Sequence, residues 1–237
     1  ALPDAIGESR NSESPGVICV MDVSLGKLEQ RPVLFASYGV TGDGRWGRQG
    51  GALPGQVFMH FYGDRWPVEM AKPDFGPSLT WFFAHEVSHV WQRGLYSAEN
   101  TGAWIHEGGA EAFAALAVRQ TSGGEAYVDR QIETARTKCD EDRKDRSIRE
   151  ALAAGAFDAS YSCGLLLNLS IDAATRRSNP AADGLYSIWR NHIEHSQDAK
   201  ALTEDGFLAA IARVGGEPLA SAVHAQLRAA EPQFGAL

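Results

Sequence analysis

Residues 80–94 read TWFFAHEVSHVWQRG. The segment is apolar and compatible with a helix, which Gly94 is expected to end. His85 and His89 stand four residues apart. A helix with about 3.6 residues per turn therefore places both imidazoles on one face, one turn from each other. This is the geometry that two ligands of a single metal ion need.

Glu86 follows directly after His85. Its carboxylate is expected to point beside the metal, toward the open coordination position, where it can take a proton from a bound water. Each residue of this HExxH pattern thus has a chemical reason to be there. The pattern alone is only suggestive, so a third ligand is the next feature to find.

A second segment with helical periodicity, WIHEGGAEAFAALAVRQ, supplies a third ligand in Glu107. Seventeen residues separate His89 from Glu107, and two helices joined by a short loop can bring the carboxylate to the same metal. Two histidines and one glutamate leave a fourth position open for water, as in catalytic zinc sites. We therefore expect one Zn²⁺ ion, held by His85, His89 and Glu107, and no other cofactor.

Glu111 lies one helical turn after Glu107 and shares its face. Metal-bound imidazoles usually donate their other N–H to a carboxylate, and Glu111 is placed to be that acceptor. Its neighbours are alanine, phenylalanine and glycine, which favours this role. A solvent-facing glutamate on an amphipathic helix is the alternative.

The two segments resemble the gluzincin metallopeptidases, the thermolysin-like superfamily that includes the aminopeptidase N and glycyl aminopeptidase families. HEVSHVWQ and WIHEGGAEAFA are most similar to the aminopeptidase N type, where Trp-x-x-Glu-Gly follows HExxH at nearly the same spacing. The resemblance implies a thermolysin-like zincin catalytic domain of the α+β class, with Glu86 activating the water. His106 differs, because that family has asparagine at this position.

The segment SYSCGLLLNLSID is similar to the Tyr-x-x-Gly segment that those enzymes carry on a later helix. The match implies that Tyr161 donates a hydrogen bond to the oxyanion of the tetrahedral intermediate. Cys163 stands where the family has lysine. A tyrosine packed in the core, with its hydroxyl satisfied, is the alternative for Tyr161.

GRQGGALPGQVFMHFYG stands at the place of the Gly-rich substrate-binding strand, whose glutamate holds the free amino terminus in aminopeptidases. Leu53 and Pro54 occupy the relevant positions, so the resemblance does not extend to recognition of an α-amine. An edge strand that pairs with an extended peptide is still expected. The resemblance covers residues 50–175, and the large N-terminal sheet domain of full-length aminopeptidases has no room here.

These observations predict a zinc metallopeptidase that acts on a peptide or protein substrate. The metal site does not dictate the leaving group, so a zinc hydrolase of a non-peptide substrate, such as an ester, amide or epoxide, is one alternative. A non-catalytic binding protein that keeps the fold is another, because the amine-binding glutamate is missing. The intact ligands, the base and Tyr161 argue against that second alternative.

The composition bounds the remaining choices. A chain of 237 residues, 44% of them hydrophobic, can bury a sizeable core. The 30 acidic side chains outnumber the 22 basic ones, and no Lys/Arg-rich stretch stands out, which argues against nucleic acid as a partner. No apolar run approaches the roughly 20 residues needed to span a bilayer. We prefer a periplasmic or secreted location, although no residue of the sequence identifies one.

The pattern along the chain indicates two lobes of one catalytic unit. Residues 1–75, rich in Gly and Pro, are expected to form a β-rich lobe, with strands over 17–23, 33–40 and 56–62 and a glycine-rich loop over 41–55. Residues 76–237 carry helical periodicity, HExxH and the third ligand. The predicted helices cover 78–93, 103–119, 124–138, 158–175, 181–195, 203–213 and 217–229.

Three other features complete the expectations. The charged run CDEDRKDRSIRE over 139–150 is predicted to be a solvated connection. The cysteines leave two alternatives open, one bridge with a spare thiol or three buried thiols. Surface-helix positions are expected for His192 and His195, and no ligand role is assigned to His60 or His224.

Overall fold

A computed structural model describes residues 16–92, 100–196 and 203–236 of the chain. Its architecture is α+β, with a small mixed sheet near the N terminus followed by a mainly helical region, as the sequence predicts. The described residues form two compact units. One comprises 16–23, 27–92 and 113–129, and the other comprises 24–26, 100–112, 130–196 and 203–236.

The sheet consists of β1 (Val33–Gly39), β2 (Trp46–Leu53) and β3 (Gln56–Gly63), in the spatial order β1-β3-β2. β3 is parallel to β1 and antiparallel to β2. Within the described residues, β2 is therefore an edge strand. The strands predicted over 33–40 and 56–62 are confirmed.

The strand predicted over 17–23 is wrong, because these residues belong to helix α1, described over 16–25. Val17, Met21 and Ser24 are its buried residues, and their spacing of four and three is helical. The run of valines and isoleucine favours a strand by propensity, but burial of one helical face overrides that preference.

The loop predicted over 41–55 is also wrong for most of its length, because β2 lies within it. Glycine is depleted in strands, so propensity argues against β2. The strand exists because all eight of its residues pair with β3, from Trp46 opposite Gly63 to Leu53 opposite Gln56.

The other regular elements of the described chain are helices. Each of the seven predicted helices overlaps a helix of the structure. The predicted end of one helix at Gly94 lies outside the described residues. None of the described helices is long and apolar enough to cross a bilayer. In chain order they are α2 (Trp66–Met70), α3 (Phe75–Trp91), α4 (Ala103–Val118), α5 (Gly124–Arg143), α6 (Ile148–Ala153), α7 (Ala159–Ser178), α8 (Gly184–His195), α9 (Glu204–Gly215) and α10 (Glu217–Arg228), with 3-10 turns over Asn100–Gly102 and Phe234–Ala236.

The solvated connection predicted over 139–150 is shorter than expected, since α5 extends into it and α6 begins within it. Ser147 and Glu150 form a reciprocal capping box at the start of α6. Arg143 is buried and donates hydrogen bonds to the carbonyl oxygens of Arg146 and Ala230. Local capping and one buried guanidinium therefore order a segment that has few apolar side chains.

The sheet packs on α3 through one face of β3. Val57, Met59 and Phe61 alternate along the strand and are buried, which is the period-two pattern of a sheet with one covered face. The ring of Phe61 meets the ring of Phe82 of α3 edge to face, with centroids 6.0 Å apart. This contact positions the sheet on the helix that carries the HExxH pattern.

The second unit has an aromatic core. Phe207 of α9 packs edge to face against Trp104 of α4, at 5.7 Å between centroids, and also contacts Trp189 of α8 at 5.2 Å. His192 contacts the same Phe207 ring at 5.5 Å and is buried. The surface position predicted for His192 is wrong, because it lies one turn after Trp189 on the buried face of α8.

Cys139 of α5 and Cys163 of α7 form a disulfide, and Cys19 is an exposed free thiol. Of the two alternatives that the sequence leaves open, the structure has one bridge with a spare thiol. Cys163, at the position where the gluzincin pattern has lysine, therefore carries no charge and ties α7 to α5.

Candidate metal centre

Helix α3 holds the HExxH residues in a fully packed setting. Twelve of its 17 residues are buried, so it is covered on all sides rather than along one stripe. Side chains in such a helix have few alternative rotamers. The surrounding packing therefore fixes the directions of the imidazoles before any ligand arrives.

The side chains of His85, Glu86 and His89 converge on one point. The Nε2 atoms of the two imidazoles lie 3.3 Å apart, and the ring planes are nearly perpendicular, at 84°. One nitrogen from each ring and one carboxylate oxygen of Glu86 all lie within 4.8 Å of one another. Each of the three residues is 7% exposed.

This spacing fits two ligands of one metal ion. With metal–nitrogen distances of about 2.0–2.1 Å and tetrahedral angles, two coordinating nitrogens stand about 3.3–3.4 Å apart. The observed separation of the Nε2 atoms, 3.3 Å, agrees with that value. The group can therefore hold a metal ion without rearrangement of the helix.

Gln92 is a residue of this site that the sequence analysis did not identify. Its Oε1 atom lies 2.7 Å from Nδ1 of His89, the ring nitrogen that points away from the paired Nε2 atoms. The side chain is almost completely buried, at 2% exposure. The available signal was the spacing of three residues after His89, which puts both side chains on one helix face.

Gly50 of β2 is the second residue that the sequence analysis did not connect with the site. A methyl group at this position would overlap the carboxylate of Glu86, whereas one at the next residue, Gly51, would meet nothing within 4 Å. A glycine inside a strand often indicates such a close approach of the backbone to another group. The backbone of β2 therefore lies directly beside the carboxylate.

No family model, curated protein or solved structure matches this chain. The resemblance to gluzincins is accordingly carried by the motifs alone. The buried group of His85, Glu86 and His89 is a possible metal site by its geometry.

Glu107 lies on α4 in the second unit. Its Oε1 atom is 3.4 Å from Nε2 of His106, and both side chains are nearly buried. The histidine that departs from the family pattern thus contacts the carboxylate next to it in sequence. The role of Glu107 as third ligand stays a prediction, as does the acceptor role of Glu111, which is half-buried on the same helix.

The glycines that follow Glu107 and Tyr161 meet each other. A Cβ atom on Gly108 of α4 would lie 2.5 Å from Cα of Gly164 of α7, so the two helix backbones are in direct contact. Asn168 of α7 reinforces this crossing by donating to a carbonyl oxygen of α4 over 2.9 Å. The crossing therefore positions the two segments that carry Glu107 and Tyr161 within the second unit.

Tyr161 itself lies in the first turn of α7 and is half-buried. Its ring meets that of Phe157 edge to face, at 5.7 Å between centroids. The disulfide of Cys163 lies two residues further along the same helix. The backbone that carries Tyr161 is thus held firmly, while its oxyanion role stays a prediction.

Proposed function

We propose that this protein is a zinc-dependent peptidase in which His85 and His89 bind the ion and Glu86 is the general base. One observation carries the proposal, namely the two Nε2 atoms 3.3 Å apart with the Glu86 carboxylate beside them. Imidazole nitrogens together with carboxylate oxygens suit zinc. The fit of the nitrogen spacing to a tetrahedral ion supports this choice.

The other two roles rest on the sequence. Glu107 is proposed as the third protein ligand because of its spacing after HExxH and its Glu-Gly context, which resemble the gluzincin pattern. Tyr161 is proposed as the oxyanion donor on its Tyr-x-x-Gly context. Three protein ligands would leave a fourth position for water.

The place of Glu86 on α3 supports its assignment as base rather than ligand. Successive residues on a helix differ by about 100° in direction, so Glu86 stands beside the imidazole pair instead of in line with it. When bound, zinc would supply Lewis acidity, polarising the scissile carbonyl and lowering the pKa of its water. The Glu86 carboxylate accepts the proton of the attacking water and returns it to the leaving amine.

The test is to incubate the purified protein with a mixed peptide library and to read cleavage by mass spectrometry, with and without a zinc chelator. We expect chelator-sensitive cuts from the wild type. Glu86→Gln should keep about one zinc per chain and lose at least about 100-fold in cleavage rate, as expected for loss of a general base. Glu69→Gln is the matched control, since Glu69 is equally buried, at 7% exposure, but pairs with Lys72.

The outcomes separate the alternatives. Undiminished cleavage by Glu86→Gln would overturn the role of the base. One zinc per chain without any peptide cleavage would overturn the peptidase assignment and favour a hydrolase of a non-peptide substrate or a binding protein. A wild type that binds no zinc would overturn the metal site itself.

A further inference from the structure

We propose that Gln92 is a positioning residue of the metal site, whose side-chain amide fixes the tautomer and orientation of His89. The inference rests on the proposed zinc site but not on peptide cleavage. It adds a residue to HExxH, three positions after the second histidine.

The contact determines which ring nitrogen carries the proton. Oε1 of Gln92 can only accept a hydrogen bond, so Nδ1 of His89, 2.7 Å away, must donate. A neutral imidazole with its proton on Nδ1 has its lone pair on Nε2. That is the nitrogen which faces Nε2 of His85 at 3.3 Å and which would bind the ion.

Gln92 is held in place independently of any ion. It directly follows the last residue of α3, and its backbone N–H donates to the carbonyl oxygen of Ser88 over 3.1 Å. Because the side chain of Gln92 is buried, its amide oxygen cannot replace the hydrogen bond with His89 by one with bulk water. The orientation of the imidazole is therefore set in the metal-free protein, which lowers the entropic cost of binding.

Gln92 also fills a place that carboxylates or backbone carbonyls commonly take beside metal-binding histidines. Loss of such a partner typically lowers metal affinity by about 10–100-fold. A carboxylate at the same position would keep an acceptor and increase the basicity of the imidazole. Gln92→Leu should therefore weaken zinc binding by about 10-fold or more, while Gln92→Glu should bind zinc at least as tightly as the wild type.

Two measurements test the inference. The first is an imidazole ¹H–¹⁵N correlation spectrum of the metal-free protein, in which His89 should show the Nδ1–H tautomer in the wild type and a mixture in Gln92→Leu. The second is zinc affinity by competition with a chromophoric chelator. Ser88→Ala is the matched control, because it removes a buried hydrogen bond to Ala84 on the same helix. It should leave both readings unchanged.

Each result decides the matter. An Nε2–H tautomer for His89 in the wild type, unchanged zinc affinity of Gln92→Leu, or a Gln92→Glu variant as weak as Gln92→Leu would overturn the role of Gln92. Peptide cleavage that depends on Glu86 would then still support the proposed function. Conversely, the expected tautomer and affinity pattern in a protein that cleaves no peptide would support Gln92 and overturn the peptidase assignment.

Discussion

At the scale of single residues, the surroundings of a ring nitrogen distinguish the two histidines of the candidate metal site from a histidine packed in the core. His192 is buried like His85 and His89, but its ring packs against Trp189 and Phe207. The other two present their Nε2 atoms to each other, with a carboxylate close by. Burial alone would therefore not separate His192 from the two histidines of the candidate site.

Gly50 leads to a prediction at the same scale. Gly50→Ala should lower the rate of peptide cleavage by about 100-fold, because a displacement of a catalytic group by about 1 Å can have such an effect. The added methyl group would overlap the carboxylate and Cγ of Glu86, so that this buried side chain must move from its present position. The measurements are kcat for peptide cleavage and zinc affinity, and the zinc affinity should stay at the wild-type value.

Gly51→Ala is the matched control for this prediction, since a methyl group there meets nothing within 4 Å. It adds the same methyl group to the same strand and should keep wild-type activity. Equal activity of the two variants would show that the closeness of β2 to Glu86 does not matter for turnover.

At the scale of elements, the contact between α4 and α7 requires glycine on both helices. Gly164→Ala would place a methyl group 2.8 Å from Cα of Gly108 and 3.3 Å from the carbonyl oxygen of Trp104. Backbone atoms cannot give way as side chains do. We expect a loss of about 1–3 kcal/mol in the free energy of unfolding, the usual range for overpacking, measured by urea denaturation.

Gly76→Ala in the first turn of α3 separates this effect from helix propensity. A methyl group there meets nothing within 4 Å, and alanine favours a helix over glycine by about 0.5–1 kcal/mol. The control should therefore be neutral or more stable than the wild type. If Gly164→Ala were equally stable, the two helices would not depend on a glycine contact.

The seven predicted helices were predictable because each carries an apolar period over ten or more residues, whereas the short helices α2 and α6, as well as α1 and β2, were not predicted. In α1, the spacing of Val17, Met21 and Ser24 competes with a β-branched composition, and burial decides for a helix. In β2, the glycines hide the strand, whose existence depends on pairing with β3. Pairing is a tertiary property, and no period within the strand itself shows it.

At the scale of the whole molecule, the sequence predicts the part of the site that one helix contains. The spacing of His85, Glu86 and His89 fixes their convergence through helix geometry alone. The contact of Gln92 with His89 depends on a side-chain rotamer, and that of Gly50 with Glu86 depends on how the sheet packs. The spacing places Gln92 on the same helix face as His89 but does not fix their contact, and no spacing along the chain links Gly50 to Glu86.

The dependence of stability on pH is a property of the whole chain. Carboxyl groups affect it in strongly acidic solution, and histidines affect it near neutral pH. A hydrogen bond from Thr41, followed by one from the backbone of Arg45, lowers the pKa of Asp43 below 3.8, and hydrogen bonds from Ser147 lower the pKa of Glu150 below 4.5. Their stabilising effect is present above these usual values and disappears only in more acidic solution. Burial, followed by the charge of Arg213, lowers the pKa of His192 below its usual 6.5, against the opposing effect of a hydrogen bond that the imidazole donates to the backbone of Gly206.

His192 should therefore contribute to the change in stability between pH 7.5 and about 5.5. Below its unfolded pKa near 6.5, the unfolded chain binds a proton that the folded chain resists, so the free energy of unfolding falls as the pH falls. His192→Gln should lose less stability than the wild type over this interval in urea titrations. His195→Gln, at the exposed end of the same helix, is the control and should follow the wild type. Parallel curves for wild type and His192→Gln would assign the acid sensitivity to other groups, because glutamine cannot take up the proton.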